Sequence, residues 1–176
     1  VAFTMCDQCR SEYESPADRR FHAQPNACPS CGPRLWLTDS AGIETPAPDP
    51  IRAVADLLRQ GLIVAVKGLG GFHLACDATN EAAVAQLRTR KRRDQKPFAV
   101  MVGTLADAER LADLTDVECG VLTSIERPIV LAWQRGGNSL APNVAPANAT
   151  VGLMLPYTPL HHLLLAEAQR PLVMTS

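Results

Sequence analysis

A chain of 176 residues and 18.9 kDa holds one ordinary domain plus a small satellite and falls short of two full-sized domains. With 47% hydrophobic against 20% charged residues it can bury a sizeable core, which excludes a wholly disordered or collagen-like chain. A formal net charge of -1 excludes a globally cationic surface for nucleic acid or anionic lipid, so any anion site has to be local.

Residues 1–39 are rich in Cys, Pro and Arg and show little helical or strand periodicity, so they read as a small subdomain. Residues 40–50, Ser-Ala-Gly-Ile-Glu-Thr-Pro-Ala-Pro-Asp-Pro, read as a linker. From Ile51 to Ser176 helices and strands alternate, which is an α/β layout. Asp49 is the N-cap of the first helix, Pro50 its first residue and Gly61 its terminator. A buried strand follows at 62–66, then a glycine-rich turn, a helix from about Asn80 to Arg90 and a strand over 97–102. Two short helices carry capping boxes, Thr104 with Asp107 and Thr115 with Glu118. Strands at 128–133 and 150–155, a helix near 160–168 and a strand at 172–174 complete the pattern, and residues 134–149 form a long polar loop. The apolar runs are strand-length, far below the roughly 18 residues of a membrane helix, so no membrane contact is expected. Val1 at the start and Thr175-Ser176 directly behind an apolar strand point to a piece of a longer protein, its last strand leaving at a sheet edge.

Cys6-x2-Cys9 and Cys28-x2-Cys31, with eighteen residues between the pairs, have the spacing of a structural zinc site. Each pair lets two thiolates from one tight turn face the same cation, and four thiolates close the tetrahedron against water or substrate. The rival reading is a pair of disulfides or a dithiol redox pair. Zinc is preferred because the spacing is doubled, and it favours a reducing, cytoplasmic compartment. His22 lies between the pairs and reads as a surface or packing residue, while Cys76 and Cys119 read as buried small hydrophobes.

Lys67-Gly68-Leu69-Gly70-Gly71-Phe72-His73 follows a strand, and its glycines would let backbone amides approach a phosphate. It matches neither a P-loop nor a dinucleotide fingerprint, so a tight turn needing positive φ is an equal reading. The run from Arg88 to Lys96 is more unusual, with six cations and one acid in nine residues. A solvated helix end is the ordinary account. The apolar Pro97–Met101 segment directly behind it would instead pin its last residues at a strand mouth, where they could neutralise a triphosphate or meet an RNA backbone.

These motifs together resemble the HypF family of hydrogenase-maturation carbamoyltransferases. The likeness is carried by the doubled Cys-x2-Cys with Asp18–Pro25, by Lys67–Ala78, by Lys91-x-Arg93-x-x-Lys96-Pro97, by Arg127–Leu131, by Val151–His162 and by Val173–Ser176. It implies a YrdC-like twisted mixed sheet with flanking helices, preceded by a zinc knuckle. It also implies that an upstream acylphosphatase domain, a first knuckle and a downstream transfer domain lie outside this chain, and that the nucleotide pocket continues past Ser176. The implied activity joins carbamate, released from carbamoyl phosphate, to AMP from ATP with Mg2+, and a C-terminal cysteine of the partner HypE then accepts the carbamoyl group.

By the same resemblance Lys91, Arg93 and His73 are the catalytic candidates, with His73 orienting the carbamoyl group. Lys67, Gly68, Gly70, Gly71, Lys96, Arg127, Thr175 and Ser176 would line the nucleotide or substrate site, with Arg127 across the cavity. Cys6, Cys9, Cys28 and Cys31 would hold Zn2+, with the possibility that the missing first knuckle exchanges ligands with them. The alternatives are a tRNA threonylcarbamoyladenylate synthase, which shares the sheet and the Lys-x-Arg signature but lacks the knuckle, and a double-stranded RNA-binding module using residues 88–96.

Overall fold

A computed structural model describes residues 4–176. Two compact units divide at Pro48 and Asp49.

In the first unit helix α1 (Asp7–Glu14) starts directly behind Cys6 and carries Cys9 in its first turn. A helix here departs from the expectation of an aperiodic segment; with Cys9 its one buried residue, it has no apolar stripe for periodicity to reveal. Cys28 and Cys31 sit on a turn closed by Gly32 N–H donating to the Cys28 carbonyl at 2.7 Å. A Cβ at Gly32 would stand 2.9 Å from that carbonyl oxygen, so the close approach requires glycine. Strands β1 (Leu37–Thr38) and β2 (Glu44–Thr45) pair antiparallel, joining the end of the 1–39 segment to the stretch read as a linker. Asp39 closes their turn by accepting from the amides of Ala41 and Ile43, both at 2.9 Å, a side-chain bond that a composition-based reading passes over.

The second unit opens with helix α2 (Pro50–Arg59), capped by Asp49, whose carboxylate accepts from the amides of Ile51 and Arg52. Strands β3 (Val64–Lys67) and β4 (Phe72–Asp77) flank the glycine turn. Then come α3 (Glu81–Arg90), β5 (Ala99–Met101), α4 (Leu105–Leu111), β6 (Ala112–Asp113), α5 (Asp116–Thr123), β7 (Val130–Gln134), a 3-10 turn (Pro142–Val144), β8 (Thr150–Met154), α6 (Pro159–Ala168) and β9 (Leu172–Thr175). Both capping boxes form as the sequence indicates. No helix among the described residues is long and apolar enough to cross a membrane.

Seven strands form one sheet in the order β3-β4-β9-β5-β8-β7-β6, antiparallel throughout except for β5 with β8. β9 therefore lies inside the sheet, between β4 and β5, and not at an edge as the sequence implied: a strand's place in the chain does not fix its neighbours, and with both faces covered all four of its residues are buried. One face packs Val84, Leu87, Phe98, Val100, Leu153 and Val173 beneath α3, α4 and α5. The other packs Leu58, Met101, Leu164, Leu172 and Met174 beneath α2 and α6.

Candidate functional site

The four cysteine sulfurs lie within 4.8 Å of one another, with Cys6–Cys28 at 3.6 Å, Cys31–Cys9 at 3.7 Å and Cys28–Cys31 at 3.8 Å. A tetrahedral zinc with Zn–S of about 2.3 Å demands sulfur separations of about 3.8 Å. All four are free thiols, so the disulfide reading has no support here. The Ser30 and Cys31 amides pull the Cys28 thiol down to about 6, favouring the thiolate form a metal needs. Burial, then the crowded neighbouring sulfurs, push Cys9 up to about 12, a cost a dication would reverse. His22 stays out of the cluster and stacks on Tyr13 at 4.9 Å. Cys76 is buried as read; Cys119 is only partly buried, because α5 leaves that flank to solvent.

At the other candidate site the structure sorts the sequence-derived residues into groups. Lys91, Arg93, Thr175 and Ser176 meet at one corner. Lys91 Nζ donates to the Ser176 carbonyl, and Arg93 donates to Thr175 Oγ1 at 3.3 Å, to the Lys96 carbonyl at 2.9 Å and to the Pro97 carbonyl. The Arg93 guanidinium also stacks on Phe98 at 4.8 Å, which the sequence reading did not single out. β9 delivers Thr175 and Ser176 here because it runs antiparallel between β4 and β5, so its end stands beside their beginnings. Lys96 is exposed, with only its carbonyl engaged.

Lys67 lies over the Phe72 ring at 5.1 Å on the neighbouring hairpin. Gly68, Gly70 and Gly71 form the turn between, none with positive φ, so the strained-turn reading does not apply. At Gly70 and Gly71 the place of a Cβ is open space, leaving bare backbone to be approached. At Gly68 it would meet the His73 ring at 2.9 Å.

Side-chain alternation puts Phe72, Leu74 and Thr175 on one sheet face and His73 on the other, with Val66. On that face His73 Nε2 bonds the Tyr157 hydroxyl at 2.7 Å, and the His161 ring lies edge-on to both. His73 Nδ1 and both ring nitrogens of His161 are buried without a partner. Tyr157 and His161 were part of the quoted motif but had been given no role. Arg127, at φ +48°, precedes β7, whose first residues lie at the far end of the sheet from the corner, and it lines a hollow of about 360 Å³ together with Tyr157, the hydrogen-bond partner of His73, and with Pro156 and His162. A cavity of about 530 Å³ also lies at that far end, lined by Gly103, Arg110, Asn138 and Arg170 among others.

Burial holds the His161 imidazole down to about 4, below its usual 6.5. The unfolded chain therefore binds more protons between those values, and stability falls as pH drops through that window. Denaturation at stepped pH should show this slope, at most about 1.4 kcal/mol per pH unit, and His161→Phe should flatten it. An unchanged slope in the variant would show that other groups set the acid limit.

A seven-stranded mixed sheet of this order, with a cationic loop beside its central strand, is the architecture of a YrdC-like domain. The Sua5/YciO/YrdC family profile, described as telomere recombination, matches residues 56–176, and the HypF finger profile matches residues 5–38. The carbamoyltransferase HypF of Rhodobacter capsulatus is 56% identical over 174 residues, 99% of this chain and 23% of the relative. The crystal structure of full-length HypF in its phosphate- and nucleotide-bound form is 45% identical, with a TM-score of 0.82 over 99% of this chain and 22% of that one. The human threonylcarbamoyl-AMP synthase is 29% identical over 175 residues, 93% of this chain and 62% of the relative. The chain belongs to the HypF carbamoyltransferase family, with a Sua5/YciO/YrdC domain behind a HypF finger. It spans under a quarter of the length of that curated relative, 23%.

Proposed function

We propose that this chain is the carbamoyl-adenylating part of a hydrogenase-maturation carbamoyltransferase, working in the cytoplasm. Residues 1–39 form the zinc-held lobe, 40–50 the connection and 51–176 the YrdC-like domain. The observation that carries the reading is the convergence of Lys91 and Arg93 on the end of β9. Carbamate, released from carbamoyl phosphate, is already an anion and needs no general base. Its oxygen attacks the α-phosphorus of ATP, the new O–P bond forms, and the bond to the bridging oxygen breaks. Pyrophosphate leaves with the electron pair, and carbamoyl-AMP remains.

Such a step needs cations that suppress repulsion between two anions and hold the leaving pyrophosphate. Lys91, Arg93 and Lys96 supply them, Thr175 and Ser176 add hydroxyls, and the Gly68–Gly71 turn with Lys67 closes the flank. Mg2+ travels with ATP as part of the substrate. The carbamoyl group then passes to the HypE cysteine, a step that lies outside this chain. Cys6, Cys9, Cys28 and Cys31 would hold Zn2+ through four thiolates, leaving no position for water or substrate, so the ion would serve shape alone.

A duplex-RNA module fits the geometry less well. Arg88 is buried and spends its guanidinium on backbone carbonyls, no aromatic side chain is interleaved within residues 88–96, and the formal net charge of the chain is only -1. The HypF finger match argues against the synthase alternative.

ATP–pyrophosphate exchange by the full-length protein tests the reading. Exchange should require carbamoyl phosphate and fail with threonine plus bicarbonate; exchange with threonine alone would overturn it.

A further inference from the structure

Arg88 is the buried cation among those of the basic run to which the nucleotide reading gives no task. It is 8% exposed, on the same stripe of α3 as Val84 and Leu87, and it faces no carboxylate within ion-pair distance among the described residues. Its guanidinium instead donates to five backbone carbonyls. On one side these belong to Arg93 at 2.8 Å, Lys96 at 3.2 Å and Asp94 at 3.3 Å. On the other they belong to Asn143, at 3.1 Å from Nε, and to Val144 at 3.4 Å. Phe98 carries the Arg88 guanidinium at 4.6 Å and that of Arg93 at 4.8 Å, so one ring supports both. Burial, and then the nearby Arg93, disfavour its charge, so this fork of hydrogen bonds has to repay the desolvation.

We infer that Arg88 is a positioning residue for the loop that carries Lys91, Arg93 and Lys96, and that the Pro142–Val144 turn is the fixed support against which it works. The inference rests on the nucleotide reading above and deepens it. Carbonyl oxygens turned toward a triphosphate would repel it; Arg88 gathers three of them inward, which leaves the loop's cationic side chains on the ligand side. The chain bends to allow this at Arg92, φ +48°, and the Arg93 amide donates back to the Arg88 carbonyl at 3.1 Å. Glu81, at the other end of α3, grips the same support by accepting from the Asn143 amide at 3.2 Å and from its side-chain amide. Lysine cannot take over, because its three donors sit on one point whereas the planar guanidinium spreads five.

The test is ATP binding by the full-length protein across a salt series, with Arg88→Lys, Asn143→Ala and Lys91→Ala compared. Arg88→Lys preserves charge, yet it should weaken ATP about tenfold, flatten the salt dependence and speed hydrogen exchange of the 92–97 amides. Asn143→Ala should act in the same direction by about threefold. A lowered melting temperature with ATP affinity and salt slope unchanged in the folded protein means Arg88 is only structural, and overturns the inference. Should Arg88→Lys fail to fold, Asn143→Ala decides by the same two readouts. If Lys91→Ala leaves ATP affinity intact, the nucleotide reading itself falls, an outcome separate from failure of Arg88 alone.

Discussion

Substituting Cys9 by Ser, or stripping the protein with a strong chelator, is expected to unfold the first unit outright. Among residues 4–48 the buried positions are Cys9 and Gly32, while Phe21, Leu35, Trp36 and Ile43 are all exposed. This lobe has no apolar core, so its stability has to come from metal ligation, and a structural zinc site supplies on the order of 10 kcal/mol. Zinc analysis should find about one ion per chain in the parent and well below that in the variant. Hydrogen exchange should show amides 6–32 losing protection while the sheet residues keep theirs, since both hydrophobic clusters are built from residues beyond Asp49. An ordered lobe after chelation would contradict the assignment.

Lys91→Ala in the full-length protein is expected to weaken ATP by between about ten- and a hundredfold and to lower pyrophosphate exchange at least as much. Lys91 is the cleaner probe because, among the described residues, its side chain bonds the Ser176 carbonyl alone. Arg93 also holds the Lys96 and Pro97 carbonyls, so Arg93→Ala should add a drop in melting temperature to the same loss of exchange. Arg110→Ala, far exposed beside the cavity at the other end of the sheet, is the control and should leave exchange unchanged. Equal effects from Arg110 and Lys91 would mean that long-range charge, and not the corner, sets the affinity.

What was legible in the sequence was local. The caps at Asp49, Thr104 and Thr115 are single-turn hydrogen-bond patterns between residues three or fewer apart, and all three form. The cysteine pairs could be read because two short turns suffice to define a tetrahedron. β4 is not among the elements the sequence indicates, because Phe72–Asp77 follows the glycines directly and mixes polar His73 and Asp77 with apolar residues. The interior place of β9 could not be read, since it depends on a crossover that brings the last strand between β4 and β5.

Arg88 and His161 show signals that were present but outweighed. Val84, Leu87 and Arg88 share a helix face, as do His161, Leu164, Leu165 and Ala168, so helical spacing alone places both polar residues inward. In Arg88 the stripe outweighs the charge run, and the side chain is buried among Val84 and Leu87 instead of joining the solvated cations. The division of Lys67 and Arg93 from His73 by the sheet follows from strand register, which needed the pairing of β4 with β3 and β9.

The most direct test is a crystal structure of the full-length protein with a non-hydrolysable ATP analogue. The phosphates should lie against Lys91, Arg93 and Ser176 at the end of β9, with the Arg88 fork intact behind them. A nucleotide seated instead in the hollow between Gly103 and Arg170, with that cationic corner empty, would contradict the account.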